Sequence, residues 1–410
     1  VFASLFIGRK YMFITVFAAL IALLATFYSP QFSNPNFVAL IMVTAGTAVL
    51  ITFSVISGLI FAPLQTLEQN VVPRLMHQFR KDKLWHLLSL AIFLFPFLSY
   101  LLAIAFFSFD FPYKHLLFAG WILALGAVLD LIRDSLNRTA SLLNPFHGIE
   151  VLRHNAIRAI QDEQDAELWG SVDALAEVAV RAVENSQIAL ATQTLNMFPP
   201  ILKTFFDSSK SISRVNQDSA VEKKTGSDEV SYTVFYILQR LELINSRALE
   251  VHLSFICSHI ITVLGKIIVY CAQLDLSLVT FPAHILGKLA LKALQYHYDE
   301  VAALGTSTLL EVSKTIINEV DLTYAELVEP FNTIIDSVDA IAQTTFKKDK
   351  TVDIKMVAQP LKELKTIFEN EKIATHRDTP EILRHIDSKI AEFEALEQVM
   401  RSIPPIPTLE

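Results

Sequence analysis

At 410 residues, with 52% hydrophobic and only 19% charged residues, this chain is more apolar and poorer in charge than an ordinary soluble protein. The formal net charge is −8 and no basic face with interleaved aromatics stands out, which gives nucleic-acid binding little support. Its two cysteines, Cys257 and Cys271, exclude a four-cysteine metal site and Cys-x-x-Cys chemistry.

The apolar residues are concentrated at one end. Up to about Leu136 charges are few and Phe, Leu, Ile and Ala dominate, whereas from Ile149 onward Glu, Asp, Lys and Arg recur in a helical rhythm. A bilayer core needs about 20 apolar residues in a helix. Long apolar runs starting at Tyr11, Phe37, Leu84 and His115 meet that need, and none carries an ionised side chain near its middle. The expected fold class is therefore all-α: a polytopic membrane protein with four transmembrane helices and an all-helical cytoplasmic domain. A cleaved signal peptide does not fit the first run, which lacks a small-residue cleavage motif and is followed by three more.

Charge in the loops gives the orientation. The connection "PLQTLEQNVVPRLMHQFRKDK" holds Arg74, Arg80, Lys81 and Lys83 against Glu68 and Asp82, and short basic loops stay cytoplasmic and sit at lipid headgroups. Arg9 and Lys10 before the first run, and Arg133 and Arg138 after the fourth, agree. The other two loops, "SPQFSNPN" and "DFPYKH", are short and nearly neutral. Both termini are expected in the cytoplasm, with almost no protein on the outer face for an extracellular ligand. Asn137-Arg138-Thr139 then stays inside, away from glycosylation.

The Ser/Thr/Gly-rich second run, the linker ending in "VVPRLMHQFRKDK" and the third run together resemble a bacterial family of predicted membrane proteins defined by a domain of unknown function. Pro73, Arg74, Phe79 and Asp82 fall on its Pro-Arg-x-x-x-x-Phe-x-x-Asp-like signature. The resemblance covers the first third of the chain and implies a multi-pass protein of a bacterial inner membrane, with no established activity attached.

Within the second run Thr44, Thr47, Ile51, Ser54 and Gly58 share a helical stripe, and Gly120, Ala124 and Ala127 make another in the fourth. Such residues let helices pack closely in lipid, and hydroxyls can also line a path through an oligomer. Pro96 is expected to kink the third run. The fourth run continues past the interface to Asn144-Pro145, with Asp130 and Arg133 at its base as a solvated collar or a pore mouth. Next comes "HGIEVLRH", in which His147, Glu150 and His154 share a helix face, a usable but unspecific divalent-metal set more simply read as a solvated helix.

Residues 1–138 thus read as the membrane domain, 139–207 as a juxtamembrane helical segment, 208–231 as a flexible linker with almost no apolar content, and 232–410 as a cytoplasmic bundle. The bundle opens with a run so apolar that it must be buried, residues 255–274 being a rival fifth span opposed by His252, His259 and Lys266. Thr379-Pro380-Glu381 is a helix start, and "SIPPIPTLE" reads as an extended tail. Phosphate loops, nucleophile elbows, zincin and kinase signatures are missing. Cys257-Ser258-His259 places a thiol near a base, but positions two apart on a helix do not face each other. No cofactor is required by these residues. The expected function is a homo-oligomeric membrane assembly protein, a scaffold or accessory subunit whose partners are the bilayer, further copies and other membrane-complex subunits. The alternative is an oligomeric channel lined by the second run, and a membrane-bound metal-dependent enzyme is a remote third.

Overall fold

The structure, a computed structural model, describes residues 13–27, 35–70, 83–109, 114–142, 144–215, 220–350 and 352–402. Among them every regular element is helical. The chain separates into two compact units, Val1–Gly148 and Ile149–Glu410.

The first unit contains α1 (Phe13–Phe27), α2 (Pro35–Asn70), α3 (Lys83–Ser108) and α4 (Lys114–Leu142). Asn36–Gly58, Ser89–Ser108 and Lys114–Asn137 are long and apolar enough to cross a bilayer, matching the second to fourth runs. The first run gives a shorter apolar helix, Ile14–Leu23 within α1. These helices pair through small residues. At Gly46 of α2 an added Cβ would lie 3.0 Å from the Cβ of Ser99 on α3, and at Gly126 of α4 it would overlap the Cβ of Ala18 on α1. The helices therefore approach at Gly46 and Gly126, whereas Gly58 and Gly120 meet nothing within 4 Å. α3 continues as one helix through Pro96. Three residues on, the fully buried Ser99 donates to the Phe95 carbonyl (3.0 Å) and accepts from the Trp121 indole of α4 (2.9 Å). Phe95 and Phe118 stack on the same indole, closing a core with Met42, Val49 and Ile92.

The second unit begins within α5 (Pro145–Gln161) and continues as α6 (Asp165–Glu184), α7 (Ile188–Leu195), α8 (Phe198–Val215), α9 (Ala220–Glu250) and α10 (Ser254–Leu274). After a 3-10 turn, Leu276–Val279, come α11 (Thr280–Gln295), α12 (Asp299–Glu319), α13 (Val328–Lys348), α14 (Ile354–Phe368), the short α15 (Glu371–Ala374) and α16 (Thr379–Ser402). Polar ties show how they stack. Asp173 of α6 bonds Tyr236 and Arg240 of α9 (2.7 and 2.8 Å), and farther along both helices Glu184 meets Arg247 (3.5 Å). Glu242 of α9 takes Lys288 and Lys292 of α11 (2.7 and 3.1 Å), while His252 and Tyr298 meet just past the two helix ends (3.0 Å). Farther along, Lys348 at the end of α13 reaches Asp299 (2.5 Å), and Asp336 and Asp339 of α13 hold His385 and Lys389 of α16 (2.8 and 2.9 Å). α6, α9, α11, α13 and α16 thus run the same way in one layer, and α7 with α8, α10, α12 and α14 return in a second. This is the nearest-neighbour stacking of a helical-hairpin array.

Four of the hairpin turns use one device. Ala159, Ala182, Ala248 and Ala293, buried one turn from a helix end, accept from the N–H five residues on, in Gln164, Gln187, Leu253 and Tyr298 (2.7–2.9 Å). The intervening Glu163, Ser186, His252 and His297 have φ between 53° and 64°, the left-handed Schellman turn that satisfies the last carbonyls. A side chain in that conformation costs roughly 1 kcal/mol. Two bonded carbonyls and a buried Ile160, Val183, Leu249 or Leu294 beside each alanine offset it.

Two boundaries differ from the sequence reading. The segment 208–231, expected as a linker, is helical at 208–215 and 220–231. It extends α8, anchored by buried Phe198, Ile201, Leu202 and Phe206, and precedes the buried stripe Val230, Val234, Ile237 and Leu241 of α9. Extending a formed helix needs no new nucleus, so low apolar content alone does not make a loop. The unit boundary lies at 148/149 instead of 138/139.

Ser254–Leu274, the rival fifth span, is also apolar and long enough to cross a bilayer. It is nonetheless the central second-layer helix: 61% of its span window is buried inside the chain, against 17–39% for those of α2, α3 and α4. Ile256, Ile260, Ile261, Leu264, Ile267 and Ile268 are all fully buried. Each such side chain contributes about 1.5–3 kcal/mol by leaving water, so this helix is already covered by protein.

Candidate functional site

The expected stripe on α2 faces away from the packed side of its unit. Thr44 and Ser54 are exposed and donate to carbonyls of their own helix, Leu40 (2.8 Å) and Leu50 (2.9 Å). Gly58 is exposed as well, whereas Thr47, half-buried, donates to Val43 (2.8 Å) and lies 3.0 Å from the Tyr100 hydroxyl of α3. The surface is satisfied internally and shaped for close approach by another helix.

Around that stripe the first unit is covered by large apolar side chains pointing outward. Phe17 is 62% exposed, Leu101 66%, Ile104 61% and Phe107 72%, joined by Leu40, Ile51, Val55 and Leu116. They occur on all four helices, a far larger apolar surface than the scattered exposure of soluble proteins.

Asp130, expected at a pore mouth or collar, is buried at 3% exposure. One carboxylate oxygen accepts from the Thr15 backbone N–H (2.9 Å) and hydroxyl (2.5 Å) in the first turn of α1. The other lies 3.5 Å from the Arg133 guanidinium. An acidic group at this free N–H does the work of an N-cap supplied from another helix. Asp130 ties α1 to α4 four residues from Gly126.

The metal set is engaged otherwise. Glu150 accepts from Arg153 (2.9 Å), His154 bonds the Glu150 carbonyl (2.8 Å), and His147 is exposed. Among the described residues no group of three or more His, Cys, Asp or Glu side chains is placed to hold a metal. Arg74, Arg80 and Lys81 lie outside the described residues, as do Pro73, Phe79 and Asp82 of the family-like signature, and Lys83 opens α3. Cys257 is a core thiol, pushed up to about 12 by burial, and burial raises Cys271 further. His259 bonds Asn196 (3.1 Å) and is held below its ordinary value by burial and by Lys266.

The sequence reading missed the repeated helix end. Its signal is the fragment Arg-Ala-Ile-Gln, Arg-Ala-Val-Glu, Arg-Ala-Leu-Glu and Lys-Ala-Leu-Gln at Arg158, Arg181, Arg247 and Lys292, at unequal intervals. Also missed was the strut of Trp169, Tyr236 and Arg240 on Asp173, with Trp169 and Tyr236 centroids 4.7 Å apart and the guanidinium over the Tyr236 ring.

No protein-family model matches the chain, and no curated protein matches it. A solved structure described as a "Circular tandem repeat protein with novel repeat topology and enhanced subunit contact surfaces" is 11% identical, covering 90% of this chain and 98% of its own, with a TM-score of 0.29. At that score the likeness carries no argument.

Proposed function

We propose that the protein is an integral membrane assembly protein, homo-oligomeric, whose first unit lies in lipid and whose second unit acts as a scaffold or accessory subunit for a membrane complex. The observation that carries this reading is the outward apolar surface of the first unit, on Phe17, Leu101, Ile104 and Phe107, which lipid would cover and water would not. Loop charge puts both termini in the cytoplasm, and the family resemblance suggests a bacterial inner membrane. The hairpin array supports the scaffold role, since stacked hairpins present long surfaces to protein partners.

The exposed stripe of Thr44, Ser54 and Gly58 favours a second reading, an oligomeric pore lined by α2. Its hydroxyls are already bonded to their own helix, so contact between copies is the simpler use. Single-particle imaging of the detergent-extracted protein separates the two. The scaffold reading expects two or more copies with α2 buried dry between helices. A closed ring with the stripe around a wet axis would make the pore the better account, and a monomer would remove both.

A further inference from the structure

The outer face of the first layer carries an exposed apolar stripe. Tyr232, Phe235 and Leu243 follow one another along the outer side of α9, 56%, 38% and 48% exposed. Phe281 at the start of α11, 38% exposed, meets Phe235 with ring centroids 5.0 Å apart. On the other side Trp169 of α6 stands edge-on to Tyr232 at 5.6 Å. A row of Tyr, Phe and Trp in water has the composition of a protein contact, where aromatic side chains supply most of the binding energy.

The charges on either side of the stripe say what fits it. α11 has no carboxylate between Thr280 and Gln295. Its His284 and Lys288 are exposed, and Glu242 of α9 takes both Lys288 (2.7 Å) and Lys292 (3.1 Å), so this flank is basic. On the α6 flank Asp173, Glu177 and Glu184 share the outer face with one base, Arg181, which bonds Glu177. Asp173 at Arg240 and Glu184 at Arg247 put Glu177 near the level of Glu242, and so of Lys288 and Lys292 across the stripe.

A face that is apolar along its middle, acidic on one flank and basic on the other complements itself. Turning a second copy about a two-fold axis parallel to α9 sets α9 on α9 and α11 on α6, which brings Lys288 and Lys292 opposite Glu177 at one level. An axis across the helices would set lysine on lysine. The parallel axis also leaves equivalent ends of both copies on the same side, as copies held in one bilayer require. We infer that two copies of the chain pair through this face, α9 against α9. The inference rests on the homo-oligomeric reading above and names the surface of the second unit that serves it.

The test uses the full chain in native membranes carrying Leu243→Cys, with Cys257 and Cys271 buried. A two-fold axis along α9 brings position 243 beside its own copy, so a short bis-maleimide is expected to give a crosslinked dimer on a denaturing gel. Tyr324→Cys is the comparison, at a site 95% exposed on the α12–α13 turn, away from the stripe. Crosslinking is expected to be about tenfold slower there. Adding Glu177→Lys to Leu243→Cys, which turns the charge facing Lys288 and Lys292, is expected to slow the crosslink about tenfold, the change that 1.4 kcal/mol produces. Equal rates at 243 and 324, or a rate at 243 that Glu177→Lys leaves unchanged, would overturn the inference. If single-particle imaging still shows an oligomer, either result removes only this surface; a monomer removes the homo-oligomeric reading with it.

Discussion

Replacing Asp339 by alanine is expected to lower the stability of the second unit by about 1–3 kcal/mol, because it takes the nearest carboxylate from a partly buried cation. The Asp339 carboxylate is 4% exposed, takes Lys389 of α16 at 2.9 Å and accepts twice from Gln343 at 3.1 Å. The alanine variant leaves Lys389 the more distant Asp336, 3.7 Å away, and the charge of Glu392 on its own helix. Denaturant unfolding of the full chain in detergent, followed through amide exchange of α16, reads the effect. Adding Lys389→Met should restore most of the loss, since an apolar pair of similar size removes the stranded charge. The bond to Asp339 is also the main reason the Lys389 ammonium is held above its ordinary range, with burial opposing it. A raised lysine pKa contributes stability that is fully present below the unfolded value and lost as pH rises through the folded one. The pair is therefore expected to be intact at neutral pH and to weaken only in strongly alkaline solution. A loss of the Asp339 contribution near neutrality would contradict that assignment.

The second large effect belongs to Gly126. A valine there places its Cβ onto Ala18 and 3.3 Å from the Ile14 carbonyl, so α1 must leave α4. The Asp130 bonds to Thr15, one turn away, would stretch with it. Overpacking of this kind costs about 1–3 kcal/mol, and the tie adds to the loss when it breaks. The fraction of detergent-extracted protein surviving heat is expected to fall for Gly126→Val, less for Gly126→Ala, and to recover in part when Ala18→Gly is combined with Gly126→Ala. Gly120→Ala, with nothing within 4 Å, is the control and should leave survival unchanged. Equal losses at both glycines would mean that α1 does not pack on α4 as described.

The difference between those glycines shows what was legible in the sequence. The apolar segments stand out because lipid demands long uncharged runs, and α2, α3 and α4 contain spans that overlap three of the four expected. Which face packs is not legible, because a helix apolar on all sides has no amphipathic signal to orient it. The small-residue stripe of Thr44, Ser54 and Gly58 therefore stood out, while the glycines that set the helix contacts, Gly46 and Gly126, did not. In the second unit the greasy run of α10 was expected in a core and lies there. The order of hairpins was hidden, since loops of different length carry no fixed period, and only the short fragment around Ala159, Ala182, Ala248 and Ala293 marks them. Asp130 read as a collar because its partner Thr15 is 115 residues away. A long-range cap leaves no local pattern.

The most direct test of the central claim is the reactivity of three singly introduced cysteines toward a membrane-impermeant maleimide, in open native membranes and again in denaturant. Leu101 and Phe107 are 66% and 72% exposed on the first unit, and Tyr324 is 95% exposed on the second. The native thiols give little background, since both cysteines are buried. With the first unit in lipid, Leu101→Cys and Phe107→Cys stay unlabelled in membranes and react only in denaturant, while Tyr324→Cys reacts at once. Labelling of Leu101→Cys in membranes as fast as Tyr324→Cys would mean that water reaches that surface, and the protein would not be an integral membrane assembly.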